Sequence, residues 1–464
     1  MSYSSLWSHA VNAAEQLARH VIETRFEDLP SDAVEKTKIF ILDSFGVGVS
    51  GSAAVHAASL LRAVQDWGSG DDATVLGLDT RLPAASAAFL NCVQIHNQEF
   101  DCVHEGAVLH PMTTALAAGL AAAEQMGGVT GRDLLTAMAL AIDVTAGLGI
   151  ASRSKMKFFR PASAGIFGAT AAVAKLRGFT QAQLIDAWGL ALAQAAGTMQ
   201  PHDEGLATLA VQIGFAARGA IVACDFAAAG IPGPRGVIDG EFGYLNLYET
   251  AHDIEPVLAD LGRVWRITQV SHKPYPTGRA AHAGISGLLA LMSAHRFGED
   301  EVERVTLLVP PLIHRLVGRP IERDMPVSYA RLCFQYSGAV ALQRGFVDIP
   351  DFYESALRDP ARHALAARIR VEIDGNPNPN AMSPQRIEVR LKNGATRALD
   401  IPATLGAPDN PLPRDAHLAK FRRCWSYGAR PLDGQAGERA IALVDRLEEL
   451  DNSNDLTALA VPEP

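Results

Sequence analysis

The pattern of apolar positions divides the chain into two parts. Up to about residue 250, apolar residues recur at helical spacing, in segments such as KTKIFILDSFGVGVSG, AGIFGATAAVAKL and LIDAWGLALAQAAG. Their alanines and glycines let helix backbones approach closely, and helices that are apolar on most faces belong inside a sizeable bundle. The N-terminal segment MSYSSLWSHAVNAAEQLARHV has the pattern of an amphipathic helix. We therefore predict a helical unit over this part.

The most apolar long segment, LLTAMALAIDVTAGLGIA, is interrupted by Asp143 and is short for a bilayer, which needs about 20 apolar residues. We interpret it as a buried helix. The N-terminus lacks the basic start and apolar run of a signal peptide. We expect a cytoplasmic protein.

Several helix starts carry capping signals. The predicted pairs of N-cap and third helical residue are Asp32 with Glu35, Thr130 with Asp133, and Thr180 with Gln183.

After about residue 265 the spacing of the apolar residues changes from helical to alternating. VERVTLLVP, ARIRVEIDG and RIEVRLKNGATRALDI alternate like strands, and Asn393-Gly394 predicts a type I′ hairpin. Segments between them, such as HAGISGLLALMSAH, are helical. We predict a mainly α fold: a large all-helical domain built from both chain ends (1–266 and 405–464), with a smaller α/β lid domain (267–404) inserted.

Composition and charge narrow the function. The chain has 464 residues, of which 48% are hydrophobic and 20% charged, as in ordinary globular proteins. Its net charge of -10 disfavours nucleic acid as a partner. Five cysteines without a C-x-x-C pair fit a reducing compartment rather than a disulfide framework.

The segment HNQEFDCVHEGAVLHP (residues 96–111) concentrates histidines and carboxylates. It lacks a compact metal signature such as H-E-x-x-H, which disfavours a metal site. An acid–base site needs only a histidine that titrates near neutrality and a carboxylate that orients it. His110 precedes Pro111 and a predicted helix, whose positive dipole end favours a neutral imidazole. From the residues alone, a buried structural histidine is an equal alternative.

Two further segments carry cations. SRSKMKFFRP includes Arg160, and an arginine can bind a carboxylate bidentately. SHKPYPTGRAAH places Lys273 before a proline turn at the junction between the two predicted domains, where small-ligand sites are common.

Together these segments resemble the MmgE/PrpD family, which includes 2-methylcitrate dehydratase, cis-aconitate decarboxylase and iminodisuccinate epimerase. The resemblance rests on ILDSFGVGVSG, RLPAASAAFLNCVQIHNQEFD with the later LHP, RPASAGIFGATAAVAKLRGF, HKPYPTGRAAH and AKFRRCWSY, and it spans nearly the whole chain. It implies a homodimer with an active site between a helical domain and a lid. It also implies reactions on small di- or tricarboxylates without cofactor or metal.

The resemblance assigns roles to particular residues. His110 matches the active-site histidine of the H-P motif, and Lys273 matches the lysine of the K-P-Y/F-P motif. Glu99 stands where many members place an aspartate, with Asp101 beside it, and His104 is a second candidate proton carrier. The chain departs from the family at Val103 (often threonine), Arg160 (histidine), Leu209 (lysine) and Gln212 (histidine).

We therefore predict a cofactor-free lyase, of dehydratase or decarboxylase type, that moves a proton at the carbon α to a carboxylate. An epimerase or isomerase of a small dicarboxylate and an inactive ligand-binding member are the alternatives. His110, Lys273, Asp101, Glu99 and His104 are the predicted catalytic set. Predicted substrate-binding residues are Arg160, Gln212 and Arg279. The partner is a small carboxylate, not nucleic acid or a membrane.

Overall fold

The computed structural model describes residues 13–378 and 381–463. Its mainly helical first part contains thirteen helices in the described range, and a short two-stranded antiparallel ladder. These are α1 (Ala13–Glu23), α2 (Ser31–Gly51), α3 (Ala57–Gln65), β1 (Ala73–Thr74), β2 (Arg81–Leu82), α4 (Ala84–His96), α5 (Pro111–Gln125), α6 (Gly131–Ala151), α7 (Arg160–Ser163), α8 (Gly165–Leu176), α9 (Gln181–Leu192), α10 (Gln200–Glu204), α11 (Thr208–Ala228), α12 (Tyr244–Tyr248) and α13 (Glu255–Ala259).

The later part mixes helices with a four-stranded sheet. Its elements are α14 (His282–His295), β3 (Val302–Val309), α15 (Pro311–Val317), α16 (Val327–Arg331), α17 (Phe334–Arg344), α18 (Glu354–Leu357), α19 (Pro360–Ala366), β4 (Ile369–Ile373), β5 (Gln385–Leu391) and β6 (Thr396–Ile401); α20 (Arg414–Ser426), α21 (Gly434–Asp445) and α22 (Asn454–Ala458) follow. The sheet order is β4-β3-β5-β6, with β3 parallel to β4 and the other pairs antiparallel. The fold is therefore mainly α with a small α/β part, as the periodicity predicts.

Two hydrophobic cores underlie these parts. One joins the helices before residue 270 to Phe421, Trp425 and other residues of the C-terminal helices, and the second lies between the sheet and helices α14 and α17. Both chain ends thus contribute to one core. The domain boundaries at 266/267 and 404/405 stay predictions.

The long apolar segment forms α6, which is buried as expected: its most apolar stretch is 94% inside the protein. By length and composition α6 and α11 could both cross a membrane, but both pack against other helices of the larger core. Asp143 is tolerated within α6 because it accepts hydrogen bonds from the backbone N–H of Arg266 (2.8 Å) and from His20 Nε2 (3.0 Å).

The local predictions have mixed outcomes. Thr130 and Thr180 cap α6 and α9 as expected. The Asp32 cap is wrong, because α2 begins at Ser31, after Pro30. The β5–β6 hairpin is confirmed but its type I′ turn is wrong: only Gly394 of the pair has a positive φ (+84°). Leu391 N–H donates to the Ala395 carbonyl, which closes a three-residue loop. The start of the predicted N-terminal helix lies outside the described residues.

Candidate active site

The candidate site forms where the connection between α4 and α5 meets the segment that leads into the second core. Helix α4 ends at His96, and α5 begins at Pro111, so residues 97–110 form the connection. Val103 and Ser271 form a two-way antiparallel bridge, with N–H to carbonyl distances of 3.0 and 2.7 Å. This bridge places Lys273 beside the connection.

Asp101 is the hub of the site. Its buried Oδ2 accepts hydrogen bonds from His96 Nδ1 (2.9 Å) and Thr113 Oγ1 (2.5 Å), and lies 3.2 Å from His110 Nδ1. Burial alone would raise the pKa of Asp101, but the neighbouring imidazoles of His110 and His96 outweigh it and hold that pKa well below its usual range. Asp101 is therefore a permanent carboxylate that orients two histidine rings.

The hydrogen bonds of His110 fix its tautomer. Its Nδ1 lies 3.1 Å from the carbonyl oxygen of Cys102, which can only accept, so Nδ1 carries the proton. Burial lowers the pKa of His110 from its ordinary value, against the opposing charge of Asp101. The ring is thus neutral near pH 7, and its Nε2 lone pair is the part left for a substrate.

The pKa of His96 shifts in the opposite direction. Burial lowers its pKa, but the charge and hydrogen bond of Asp101 outweigh burial, and the pKa of His96 is raised. Its Nε2 lies 3.6 Å from Glu99 Oε1 and has no hydrogen-bond partner. Asp101 therefore favours the protonated form of His96, whose ring lies edge-on to His110 with ring centroids 4.7 Å apart.

Lys273 and Glu99 complete the charge balance. Lys273 Nζ is fully buried and lies 2.8 Å from Glu99 Oε2 and 3.8 Å from Asp101 Oδ1. Burial raises the pKa of Glu99, but Lys273 opposes it more strongly together with the nearby histidines, and the pKa falls to about 2. Glu99 also adopts a left-handed backbone with φ +51°, which costs of order 1–3 kcal/mol in a non-glycine residue. Two carboxylates thus face the Lys273 ammonium and the His96 imidazole.

Three spaces with shared lining residues lie at or next to the site, and their volumes include room open to solvent. The inner pocket, of about 600 Å³, is lined by Glu99, His110 and His202. The side cavity, of about 900 Å³, is lined by His96, Glu99 and Arg331. The outer cavity, of about 730 Å³, is lined by Lys155, Arg160 and Arg315. The inner pocket shares Glu99, Leu209 and Leu332 with the side cavity, and Val108 and Met156 with the outer cavity.

Not all predicted residues meet in the inner pocket. His110 and Glu99 line it, with Asp101 and Lys273 directly behind them. His104 does not join them: its Nε2 bonds Gln269 (3.1 Å) and its Nδ1 accepts from Ala107 N–H (3.2 Å). Both ring nitrogens are therefore engaged within the protein, and the catalytic role of His104 stays a prediction.

The predicted substrate-binding residues are also engaged with other protein groups. Arg160 is buried against Glu249, with Nε 3.0 Å from Oε1. Gln212 bonds both backbone groups of Thr198. Arg279 does line the inner pocket, but Nε bonds Glu105 (2.7 Å), and its other two nitrogens bond backbone carbonyls. Their role as substrate ligands stays a prediction.

Sequence reasoning does not select Arg331, His202 or Thr113, and it considers His96 only as a metal ligand. Arg331 is buried, and its Nη1 donates to the carbonyls of Gln98 and Pro276, while its Nε has no hydrogen-bond partner. Burial lowers its pKa to about 10, against the pull of Glu99. Burial and Arg319 lower the pKa of His202 to about 4. Arg331, His202 and Thr113 lie outside the segments quoted for the resemblance, whereas His96 begins HNQEFD within one of them.

Among the residues that the structure describes, two groups of buried or partly buried side chains have the residue types of a metal site, each with ligand atoms within 4.8 Å of one another: His96, Asp101 and His110, and Asp43, His272 and His417. In the first, both histidines direct an Nδ1 proton at Asp101, and a metal would have to replace those hydrogen bonds. In the second, the Lys420 ammonium already lies 2.7 Å from Asp43.

Comparison with known proteins finds relatives that match the sequence over nearly its whole length. The chain is 28% identical over 468 residues to cis-aconitate decarboxylase from Homo sapiens, covering 96% of this chain and 94% of that protein. It is 26% identical over 470 residues to the Mus musculus enzyme (97% and 93%). Cis-aconitate decarboxylase-like protein oryM from Aspergillus oryzae is 28% identical over 472 residues (97% of each chain).

Models of the two family domains cover most of the sequence. The MmgE/PrpD N-terminal domain matches residues 15–257, and the MmgE/PrpD C-terminal domain matches residues 275–449. The resemblance seen in the sequence is thereby confirmed, and the chain belongs to the MmgE/PrpD family.

Proposed function

We propose that this protein is a lyase that acts on a small di- or tricarboxylate, with His110 moving a proton at the carbon α to a carboxylate. The observation that carries the proposal is the fixed tautomer of His110. Its Nδ1–H is held by the Cys102 carbonyl and Asp101, and its neutral ring lines the inner pocket. A neutral imidazole with a free Nε2 is a general base suited to neutral pH.

The relatives' names favour decarboxylation within the lyase class. In that reaction the bond between carbon and a carboxylate breaks, carbon dioxide leaves, and the electron pair stays on carbon. His110 Nε2, after taking a proton from solvent, donates it to that carbon, which restores a C–H bond and returns the ring to its neutral form. In a dehydration, His110 would instead remove the α-proton and deliver it to the hydroxyl group of the neighbouring carbon, so that this group leaves as water.

We propose that neither reaction needs a metal or cofactor. The developing negative charge spreads into the adjacent carboxylate, and preorganised cations stabilise such charge. Lys273 supplies a positive charge within the cluster, and His96 supplies a second one when protonated, while Asp101 and Glu99 keep both side chains in place. Chelator treatment tests this: activity lost on chelation and restored by one metal would contradict it.

Epimerisation is the second candidate, and His202 favours it. His202 lines the same inner pocket as His110 and, with its lowered pKa, is also neutral near pH 7. Two proton carriers in one pocket can remove a proton from one face of a carbon and return it to the other.

We also propose that the protein works as a cytoplasmic homodimer. Exposed aromatic side chains support an interface: Phe215 (46% exposed) and Phe226 (50%) lie on α11, and Trp67 (40%) lies in the turn after α3. Light scattering should give about twice the chain mass of 49.4 kDa. A monomer at micromolar concentration would contradict the dimer.

Proton exchange tests the proposed function without assuming which reaction follows. The protein is incubated in heavy water with cis-aconitate and a panel of succinates, and loss of the C–H signal is followed by NMR. We expect exchange or turnover for at least one acid, and its loss in His110→Ala. His295→Ala, at an exposed helix end, is the matched control and should behave as wild type. Equal rates in His110→Ala and wild type would contradict the proposal.

A further inference from the structure

The inner pocket is mostly apolar where a polycarboxylate would need charge. Besides its few polar residues, it is lined by Val103, Val108, Met156, Phe159, Pro161, Met199, Leu209, Ala280, Leu316, Val317, Leu332 and Met382. Several of these are flexible methionines, which adapt their shape to an apolar ligand. The lining thus has the character of a pocket for an alkyl group.

The charged residues of this lining are already paired. Among the residues that the structure describes, they are Glu99, Glu105 and Arg279. Glu99 is bound by Lys273, and Arg279 is bound by Glu105. Ser271 adds a hydrogen bond to Glu105 at 2.9 Å. A substrate carboxylate that entered this space would find no uncommitted cation there, and burying an unpaired charge is costly.

Leu209 makes the boundary between the inner pocket and the side cavity apolar. It is 5% exposed and lines both the inner pocket and the side cavity. An ammonium at this position could reach a ligand in either space, whereas the leucine offers only apolar contact. Its presence favours an apolar group next to Glu99 and His110.

Uncommitted donors occur instead in the side cavity. Arg331 Nε and His96 Nε2 are both buried, both without a hydrogen-bond partner, and both belong to residues that line this cavity. Arg331 is a cation and its unused Nε–H suits a carboxylate, and His96 Nε2 offers a second donor when that ring is protonated. The carboxylate end of a ligand therefore fits the side cavity, and its apolar end fits the inner pocket.

We propose that the substrate is a carboxylic acid with at most two carboxylates, carrying a branched or extended alkyl arm that fills the apolar inner pocket where a third carboxylate would otherwise lie. This rests on the proposed function, since it specifies the substrate class of the same site. Each buried CH₂ contributes roughly 0.8 kcal/mol, which is about a fourfold gain in affinity.

Two acids of equal size test the proposal directly. Isobutylsuccinate and tricarballylate have the same number of non-hydrogen atoms, but one carries an isobutyl arm where the other carries a carboxymethyl arm. Calorimetric titration of wild-type protein at pH 7 should show isobutylsuccinate binding at least tenfold more tightly. Affinity should rise about fourfold per CH₂ from methyl- to propylsuccinate. Equal or tighter binding of tricarballylate, or no binding of either acid, would overturn the proposal.

Two lysine variants test whether residue 209 sets the preference between isobutylsuccinate and tricarballylate. Leu209→Lys places an ammonium beside the inner pocket and should reverse the preference toward tricarballylate by tenfold or more. Leu247→Lys adds the same charge at a leucine that is 53% exposed and lines none of the three spaces. It should keep the wild-type preference; reversal in both variants would overturn the proposal. If Leu209→Lys does not fold, the wild-type comparison still decides.

Failure of this proposal is distinguishable from failure of the proposed function. Exchange that depends on His110, together with a preference for tricarballylate, would leave the lyase standing and refute the alkyl arm. Preferential binding of isobutylsuccinate without exchange of any acid would leave the alkyl arm standing and refute the lyase.

Discussion

Replacing Asp101 with asparagine is the most direct test of the hydrogen bonds that arrange the site. Asp101 Oδ2 receives donors from His96 (2.9 Å) and Thr113 (2.5 Å) and lies 3.2 Å from His110 Nδ1. The variant Asp101→Asn keeps the shape but removes the charge. Its amide nitrogen can meet an imidazole N–H only if the ring changes tautomer, and that change would protonate His110 Nε2.

The expected magnitude follows from the hydrogen bonds that the substitution removes. A hydrogen bond to a charged group contributes about 1.5–3 kcal/mol, which corresponds to a factor of about 10–150 in rate if it acts only in the transition state. The wrong tautomer of His110 adds to this, since oriented acid–base groups contribute about 10²–10⁴-fold. We therefore expect kcat/KM of Asp101→Asn to fall by about 10²–10⁴-fold.

Steady-state kinetics on the best substrate of the exchange panel measures this loss. Thr113→Val is the matched control, because it removes a neutral donor to the same oxygen without changing the charge or either histidine. It should lower kcat/KM by less than about tenfold. Circular dichroism should show both variants folded. A folded Asp101→Asn that retains a third or more of the wild-type kcat/KM would refute the role assigned to Asp101.

Other predictions follow from the buried ion pairs and histidines. Lys273→Met should lower the free energy of unfolding in urea by about 3–5 kcal/mol, because it leaves Glu99 buried and unpaired; Lys273→Met with Glu99→Gln should recover part of that loss. The pKa of Glu99 is about 2, against an ordinary value of 4.5. The ionised Glu99 therefore contributes about 3 kcal/mol to the free energy of unfolding above pH 4.5, and this contribution is lost as the pH falls toward 2. Glu99→Gln should flatten this part of the pH–stability curve. The lowered pKa of His110 places the acid limb of the kcat/KM profile below pH 6.5, with activity lost as the pH falls through it; a limb above pH 6.5 would contradict this. Arg160→Met should destabilise the protein by about 3–5 kcal/mol through the buried Glu249, and Glu249→Gln in the same chain should relieve it; additive losses would contradict this pairing.

Much of the fold is predictable from the sequence because the apolar period changes where the secondary structure changes. The buried α6 and the β5–β6 hairpin follow from local pattern, as do the caps at Thr130 and Thr180. The hairpin turn type does not, since a three-residue loop with Gly394 has the same Asn-Gly signal.

The site is only partly predictable. His110, Glu99 and Asp101 lie close in sequence, and the resemblance adds Lys273, so their approach can be anticipated. Arg160 cannot be judged from the sequence, because its partner Glu249 lies 89 residues away.

Long-range pairings also explain the residues that sequence reasoning misses. Arg331 enters the site through hydrogen bonds to Gln98 and Pro276, which are distant in the chain. Such pairings depend on tertiary packing rather than on local pattern.

Nitrogen NMR of the histidine rings is the sharpest test of the His110 tautomer, because it requires no substrate. Protein labelled with ¹⁵N-histidine is titrated from pH 8 to pH 5, and His110 is assigned by the signal missing in His110→Ala. We expect a neutral ring at pH 7 with the proton on Nδ1, an unprotonated Nε2, and a pKa below 6.5. A doubly protonated His110 at pH 7, or a neutral ring with its proton on Nε2, would contradict the role proposed for this residue.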